Sequence, residues 1–137
     1  MNKKLSARRL AIVPTTRCSL NCKLCGDFLY GPVKRRHIPL EDVCGDIDAC
    51  FDLFDEVVWL QFVRGEVFVY PDFAKLLRYA LKYIDRFERL IVETNATIFP
   101  NQEEQEALLQ YGDKLSIYVS NYGELSKARD QFLAFCY

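Results

Sequence analysis

The chain has a single histidine, His37, among its 137 residues, and a nucleophile–base pair built on it has no recognisable context. No phosphate-binding loop and no nucleic-acid-binding motif occurs either. No apolar run approaches the roughly 18 residues that a membrane span needs, so the chain is expected to be soluble and to have no membrane partner. The opening MNKKLSARRLAIVP is basic, but its apolar stretch is far shorter than a secretory signal core. The expected compartment is therefore the cytoplasm. Linkers and low-complexity stretches are also missing. Residues 1–137 read as one domain, because this length supports one sizeable core and not two.

What is present is a globular mix, with 50% hydrophobic, 14% aromatic and 27% charged residues, which excludes a disordered or collagen-like chain. The net charge of −1 hides an asymmetry. Residues 1–37 carry nine Lys/Arg against the single acid Asp27, and the other hundred carry nine basic residues against eighteen acids. This basic head has no interleaved aromatics, so nucleic acid is not the expected partner. Two readings remain: a solvated face, or positive charge that offsets an anionic centre nearby.

Six cysteines are unevenly spread. Cys18, Cys22 and Cys25 form C-x3-C-x2-C, while Cys44, Cys50 and Cys136 are scattered. In a reducing compartment the thiols stay unpaired, and the trio reads as a metal or cluster site. Three thiolates in eight residues can wrap one face of a compact centre. A four-iron cube held by three of them would leave one iron open to another ligand. A structural zinc site needs a closed set of four, for which His37 is the available fourth donor. Cys44 falls on an apolar helical stripe and reads as core.

Short apolar runs alternate with helical periodicity. Leu10–Val13 reads as a strand closed by Pro14, followed by a loop from Thr15 to about His37. Pro39 opens a helix whose apolar positions are Leu40, Val43, Cys44, Ile47, Phe51 and Phe54. Val57–Val63 is a second strand, and Arg64-Gly65-Glu66 opens the loop after it. A second helix carries Phe73, Leu76, Leu77, Ala80, Leu81 and Ile84, with Asp72 as its expected N-cap. Leu90–Thr94 is a third strand, residues 102–111 a short helix stopped by Gly112, and Leu115–Ser120 a fourth strand. A last helix is expected from about Glu124. Four βα units in succession predict parallel pairing with right-handed crossovers, in an α/β partial (β/α) barrel. At most half of a closed eight-unit barrel is present. Ligands of parallel α/β sheets sit at the carboxyl ends of the strands. The cysteine loop, Arg64-Gly65-Glu66, Asn95 and Ser120-Asn121 all collect there.

These features together resemble the radical S-adenosylmethionine (radical SAM) superfamily, whose defining motif is C-x3-C-x2-C in a loop directly after a first strand. The resemblance extends through the Gly-Glu loop, the T-N-A after the third strand and the S-N-Y-G after the fourth. It implies a [4Fe–4S] cluster held by Cys18, Cys22 and Cys25, with S-adenosylmethionine chelating the fourth iron. Reduction then cleaves that cofactor to a 5′-deoxyadenosyl radical, which abstracts a hydrogen from a substrate. It also implies an electron donor such as flavodoxin or ferredoxin. Glu66 corresponds to the acid of the family's G-G-E motif, whose loop binds the S-adenosylmethionine amino group, and Gly65 lets the backbone approach closely. Asn95, Ser120 and Asn121 match positions of cofactor or substrate contact.

Arg64 stands where the family usually has its first glycine, Val67 where proline often follows, and Leu24 where an aromatic residue often precedes the third cysteine. The family commonly has six βα units against about four here. The resemblance therefore covers the N-terminal part of the core, with self-association or a completing partner as a way to cover the strand edges. Two alternatives stay open: a zinc- or iron–sulfur-stabilised binding module without S-adenosylmethionine chemistry, and an interaction domain whose cysteine trio is incidental.

Overall fold

The computed structural model describes residues 4–27, 29 and 34–136. Four strands, β1 (Ser6–Ile12), β2 (Glu56–Phe62), β3 (Phe87–Thr94) and β4 (Leu115–Val119), form one sheet in the order β1-β2-β3-β4. All neighbouring pairs are parallel. The helices α1 (Leu40–Leu53), α2 (Phe73–Ala80), α3 (Gln102–Leu109) and α4 (Arg129–Cys136) alternate with and follow them, as four successive βα units require. Leu10, Leu60 and Leu90 share one register row, and Ile12, Phe62 and Val92 another. Both rows are buried in the core against the helices.

The helices dock by the stripes expected of them. Val43, Ile47 and Phe51 of α1 are buried, as are Phe73, Leu76, Leu77 and Ala80 of α2. Cys44 and Cys50 pack on the edge of this core half-buried, and Cys136 is exposed.

Four details depart from the sequence expectation. β1 begins at Ser6 and not Leu10, because Ser6 and Ala7 pair with Glu56 and Val57 through backbone alone. Asp72 takes the N-cap position of α2 without making the capping bond, and its carboxylate accepts from Lys75 at 2.8 Å. Beyond Ala80 the helix tightens into a 3₁₀ segment, Leu81–Arg86. α4 starts at Arg129, because Gly123–Leu125 forms a separate 3₁₀ turn. The capping box of α3 follows from the N-x-x-E spacing: Asn101 accepts from the Glu104 N–H, and the Glu104 carboxylate accepts from the Asn101 N–H, each at 2.9 Å. Lys3 of the basic head, and Phe28 and residues 30–33 of the cysteine loop, lie outside the described residues. Among the described residues, no helix is long and apolar enough to cross a membrane.

Candidate functional site

The cysteine loop is pinned at its base. The Thr16 N–H donates to the Arg36 carbonyl and the Ile38 N–H to the Pro14 carbonyl, both at 2.9 Å. His37 closes this bridge: its Nδ1 lies 2.9 Å from the Thr15 hydroxyl and its ring meets Tyr70 edge-on, with centroids 5.7 Å apart. His37 is not among the residues lining the cysteine cavity, so the structure does not bring it there as a fourth metal donor. Inside the loop, Arg35 donates to the Leu29 carbonyl at 2.6 Å, the Leu20 carbonyl at 3.3 Å and the Asn21 side chain at 2.7 Å. Part of the basic head thus serves to hold the loop's own carbonyls.

The loop after β2 wedges against this base. Arg64 and Gly65 have φ of 77° and 61°. A Cβ on Gly65 would stand 2.2 Å from the Arg17 carbonyl oxygen, so only glycine fits. The next N–H, that of Glu66, donates to the same oxygen at 2.9 Å. The Glu66 carboxylate then turns into the protein, with 0% exposure. It accepts from the Thr94 hydroxyl at 2.8 Å, the Asn95 N–H at 2.7 Å and the Phe68 N–H at 3.3 Å. Burial pushes its carboxyl up from the ordinary range, opposed by these three donors. Glu66 therefore joins the β2 loop to the end of β3, and it is not among the residues lining the cavity.

Asn95 is held on every side. Its carbonyl accepts from the Ser126 hydroxyl at 2.8 Å, and its side-chain oxygen accepts from the Thr97 N–H at 3.0 Å. Its amide nitrogen lies 3.1 Å from the Ser19 hydroxyl and 3.5 Å from the Cys18 sulfur. Ser120 reaches the site because its N–H donates to the Thr94 carbonyl at 2.8 Å. Asn121 turns away, accepting from the Gly123 N–H at 2.9 Å and from Arg129 at 3.2 Å.

Cys18, Cys22, Cys25, Gly65, Asn95 and Ser120 line one cavity of about 240 Å³ at the carboxyl ends of the strands. Glu93 and Tyr122, not singled out from the sequence, line it too. Glu93 was legible as the one acid in the run Leu90-Ile91-Val92-Glu93-Thr94, and it accepts from the buried Gln61 amide. Burial first, then the neighbouring Cys22, Cys25 and Cys18, push the Tyr122 phenol up. All three clustered cysteines are free thiols. Burial pushes the Cys18 thiol up, against the opposing Leu20 N–H and Arg35 charge. Among the described residues, no three His, Cys, Asp or Glu side chains converge on a single metal-ion position. The thiols border a cavity and not a point, and two N–H groups, from Leu20 and Asn95, lie 3.5 Å from the Cys18 sulfur. Soft sulfur donors around a cavity, with N–H groups directed at a sulfur, fit an iron–sulfur cluster.

No family model matches the chain. It is 29% identical over 119 residues to the antilisterial bacteriocin subtilosin biosynthesis protein AlbA of Bacillus subtilis (strain 168), covering 86% of this chain and 25% of that protein. The crystal structure of Streptococcus suis SuiB bound to S-adenosylmethionine superposes with a TM-score of 0.62 at 22% identity, over 85% of this chain and 24% of SuiB. SuiB is also known bound to the precursor peptide SuiA. The protein anSMEcpe with bound AdoMet superposes with a TM-score of 0.63 at 18% identity, over 98% of this chain and 40% of the other. The fold is that of part of the barrel of these radical SAM enzymes, and the chain is similar in sequence to part of AlbA. It spans about a quarter of the length of AlbA and of SuiB.

Proposed function

We propose that this chain is the N-terminal part of a radical SAM enzyme's core, with Cys18, Cys22 and Cys25 as the cluster ligands. The observation that supports this most is the common cavity, in which the three thiols of the β1 loop face Gly65 and Ser120 from the ends of β2 and β4. When bound, a [4Fe–4S] cluster supplies the electron for reductive cleavage of S-adenosylmethionine. The chain's own residues bind and orient. Gly65 brings the β2 loop backbone against the cysteine loop, Glu66 holds that loop to β3 from behind, and Ser120 forms the opposite wall. Asn121, engaged with Gly123 and Arg129, shapes the turn after β4. A cytoplasmic setting and a flavodoxin or ferredoxin donor accompany this reading. The names attached to AlbA and SuiB, a bacteriocin biosynthesis protein and a protein seen with a precursor peptide, favour a peptide as substrate.

The test is low-temperature electron paramagnetic resonance of anaerobically reconstituted, reduced protein, with and without S-adenosylmethionine. The expected result is a [4Fe–4S]⁺ signal that shifts on adding the cofactor and is lost, with most of the iron, in Cys22→Ala. A cluster signal indifferent to S-adenosylmethionine would mean that the chain holds a cluster without the cofactor site. Stoichiometric zinc in place of iron would leave a structural module.

A further inference from the structure

We infer that Asn95 is a positioning residue on the sulfur side of the site: its side-chain amide donates to the Cys18 sulfur and tunes the group that this thiolate holds. The inference rests on the cluster reading above and deepens it, moving Asn95 from cofactor contact to the electronic control of a cluster ligand.

Asn95 is 8% exposed, and both ends of its amide are oriented. Exchanging oxygen and nitrogen would set the oxygen toward the sulfur and the nitrogen toward the Thr97 N–H. The Thr97 N–H at 3.0 Å therefore assigns the oxygen, which leaves the nitrogen facing Cys18 at 3.5 Å and Ser19 at 3.1 Å. The backbone of Asn95 is fixed independently of its side chain, by the Glu66 carboxylate at 2.7 Å and the Ser126 hydroxyl at 2.8 Å. The donor is thus pre-organised from three elements that do not themselves touch the sulfur. A hydrogen bond to a thiolate ligand withdraws electron density from it and favours the reduced cluster, which carries one more negative charge. The Leu20 N–H already donates to this sulfur from within the loop. Asn95 adds a donor from outside it, so the ligand's electronics respond to the end of β3.

The test is a redox titration of the reconstituted full chain, followed by electron paramagnetic resonance and iron analysis. It compares wild type with Asn95→Ala, Asn95→Leu and Thr97→Val. The leucine fills nearly the same space, carries no charge and removes the donor. The valine removes the Thr97 hydroxyl, which lies 2.5 Å from Ser19, and leaves the bond to sulfur. The expected result is retained iron in all four proteins. At a fixed potential, the reduced-to-oxidised ratio should fall about tenfold in both Asn95 variants, a shift of about 59 mV for a one-electron couple, and stay unchanged in Thr97→Val. Unchanged potentials in the Asn95 variants, an equal shift in Thr97→Val, or loss of iron from natively folded Asn95 variants would each overturn the inference. If Asn95→Ala fails to fold, Asn95→Leu decides alone. A wild-type protein without a cluster overturns the cluster reading itself, and this inference with it.

Discussion

Arg64 and Gly65 sit side by side with left-handed backbones, yet they answer to different constraints. At Gly65 the obstacle is the Arg17 carbonyl, 2.2 Å from where a Cβ would stand. Backbone cannot yield there as a flexible side chain would. Gly65→Ala should destabilise the chain by about 1–3 kcal/mol or more. At Arg64 the strain is conformational: φ of 77° costs an L-residue about 1–2 kcal/mol. The side chain recovers little of this, since its hydrogen bond among the described residues is to the Asp27 carbonyl, at 3.2 Å on the exposed rim. Arg64→Gly should therefore raise stability by about 1 kcal/mol, part of the relief being offset by the greater freedom of glycine in the unfolded chain. Denaturant midpoints of the two variants check the pair, and a destabilised Arg64→Gly would mean that the guanidinium contact outweighs the strain. The sequence made Gly65 and Glu66 conspicuous without showing that the Glu66 carboxylate points inward. That orientation depends on Thr94 and Asn95 meeting it from 28 and 29 residues away, a contact with no local pattern.

At the scale of elements, α1 is joined to the end of α2 and the 3₁₀ segment after it by a polar cluster centred on Asp48. Its carboxylate accepts from the Tyr79 hydroxyl at 2.5 Å and the Tyr83 hydroxyl at 2.6 Å, and pairs with Lys82 at 2.7 Å. Lys82, then Tyr79 and Tyr83, hold the Asp48 carboxyl at about 2, below its ordinary 3.8. A folded-state value below the unfolded one gives stability that is fully present above about pH 4 and lost as the pH falls toward 2. Asp48→Asn should therefore flatten the acid limb of the melting temperature between pH 4 and 2 relative to wild type. The pair is partly exposed, so the effect should shrink in high salt, and identical acid limbs in both proteins would remove the role assigned to Asp48. The elements themselves were legible to differing degrees. β2 and β3 announce themselves as β-branched and aromatic runs buried on both faces. The first half of β1, Ser6-Ala7-Arg8-Arg9, is a polar edge that only pairing with Glu56–Trp59 makes a strand. The start of α4 was displaced because Ser126 donates to the Asn95 and Ser120 carbonyls, which keeps the preceding turn separate.

Among the strands, burial is deepest in the two at the centre of the sheet. Leu60, Phe62, Leu90 and Val92 are each 0% exposed, whereas β4 has no fully buried residue. Amide exchange should be slowest in β2 and β3, by about tenfold or more over the edge strands β1 and β4. Hydrogen-exchange mass spectrometry reads this directly, and equal protection in β4 would mean that its outer edge is covered in solution. The same gradient bears on how the site is held. Contacts that shape the cysteine loop from outside come from the loops at the strand ends: the Glu66 N–H on Arg17 and the Asn95 amide on Ser19. The described ends of the cysteine loop are thus positioned by the same sheet that holds the core, so a substitution that loosens β2 or β3 should loosen that loop with it.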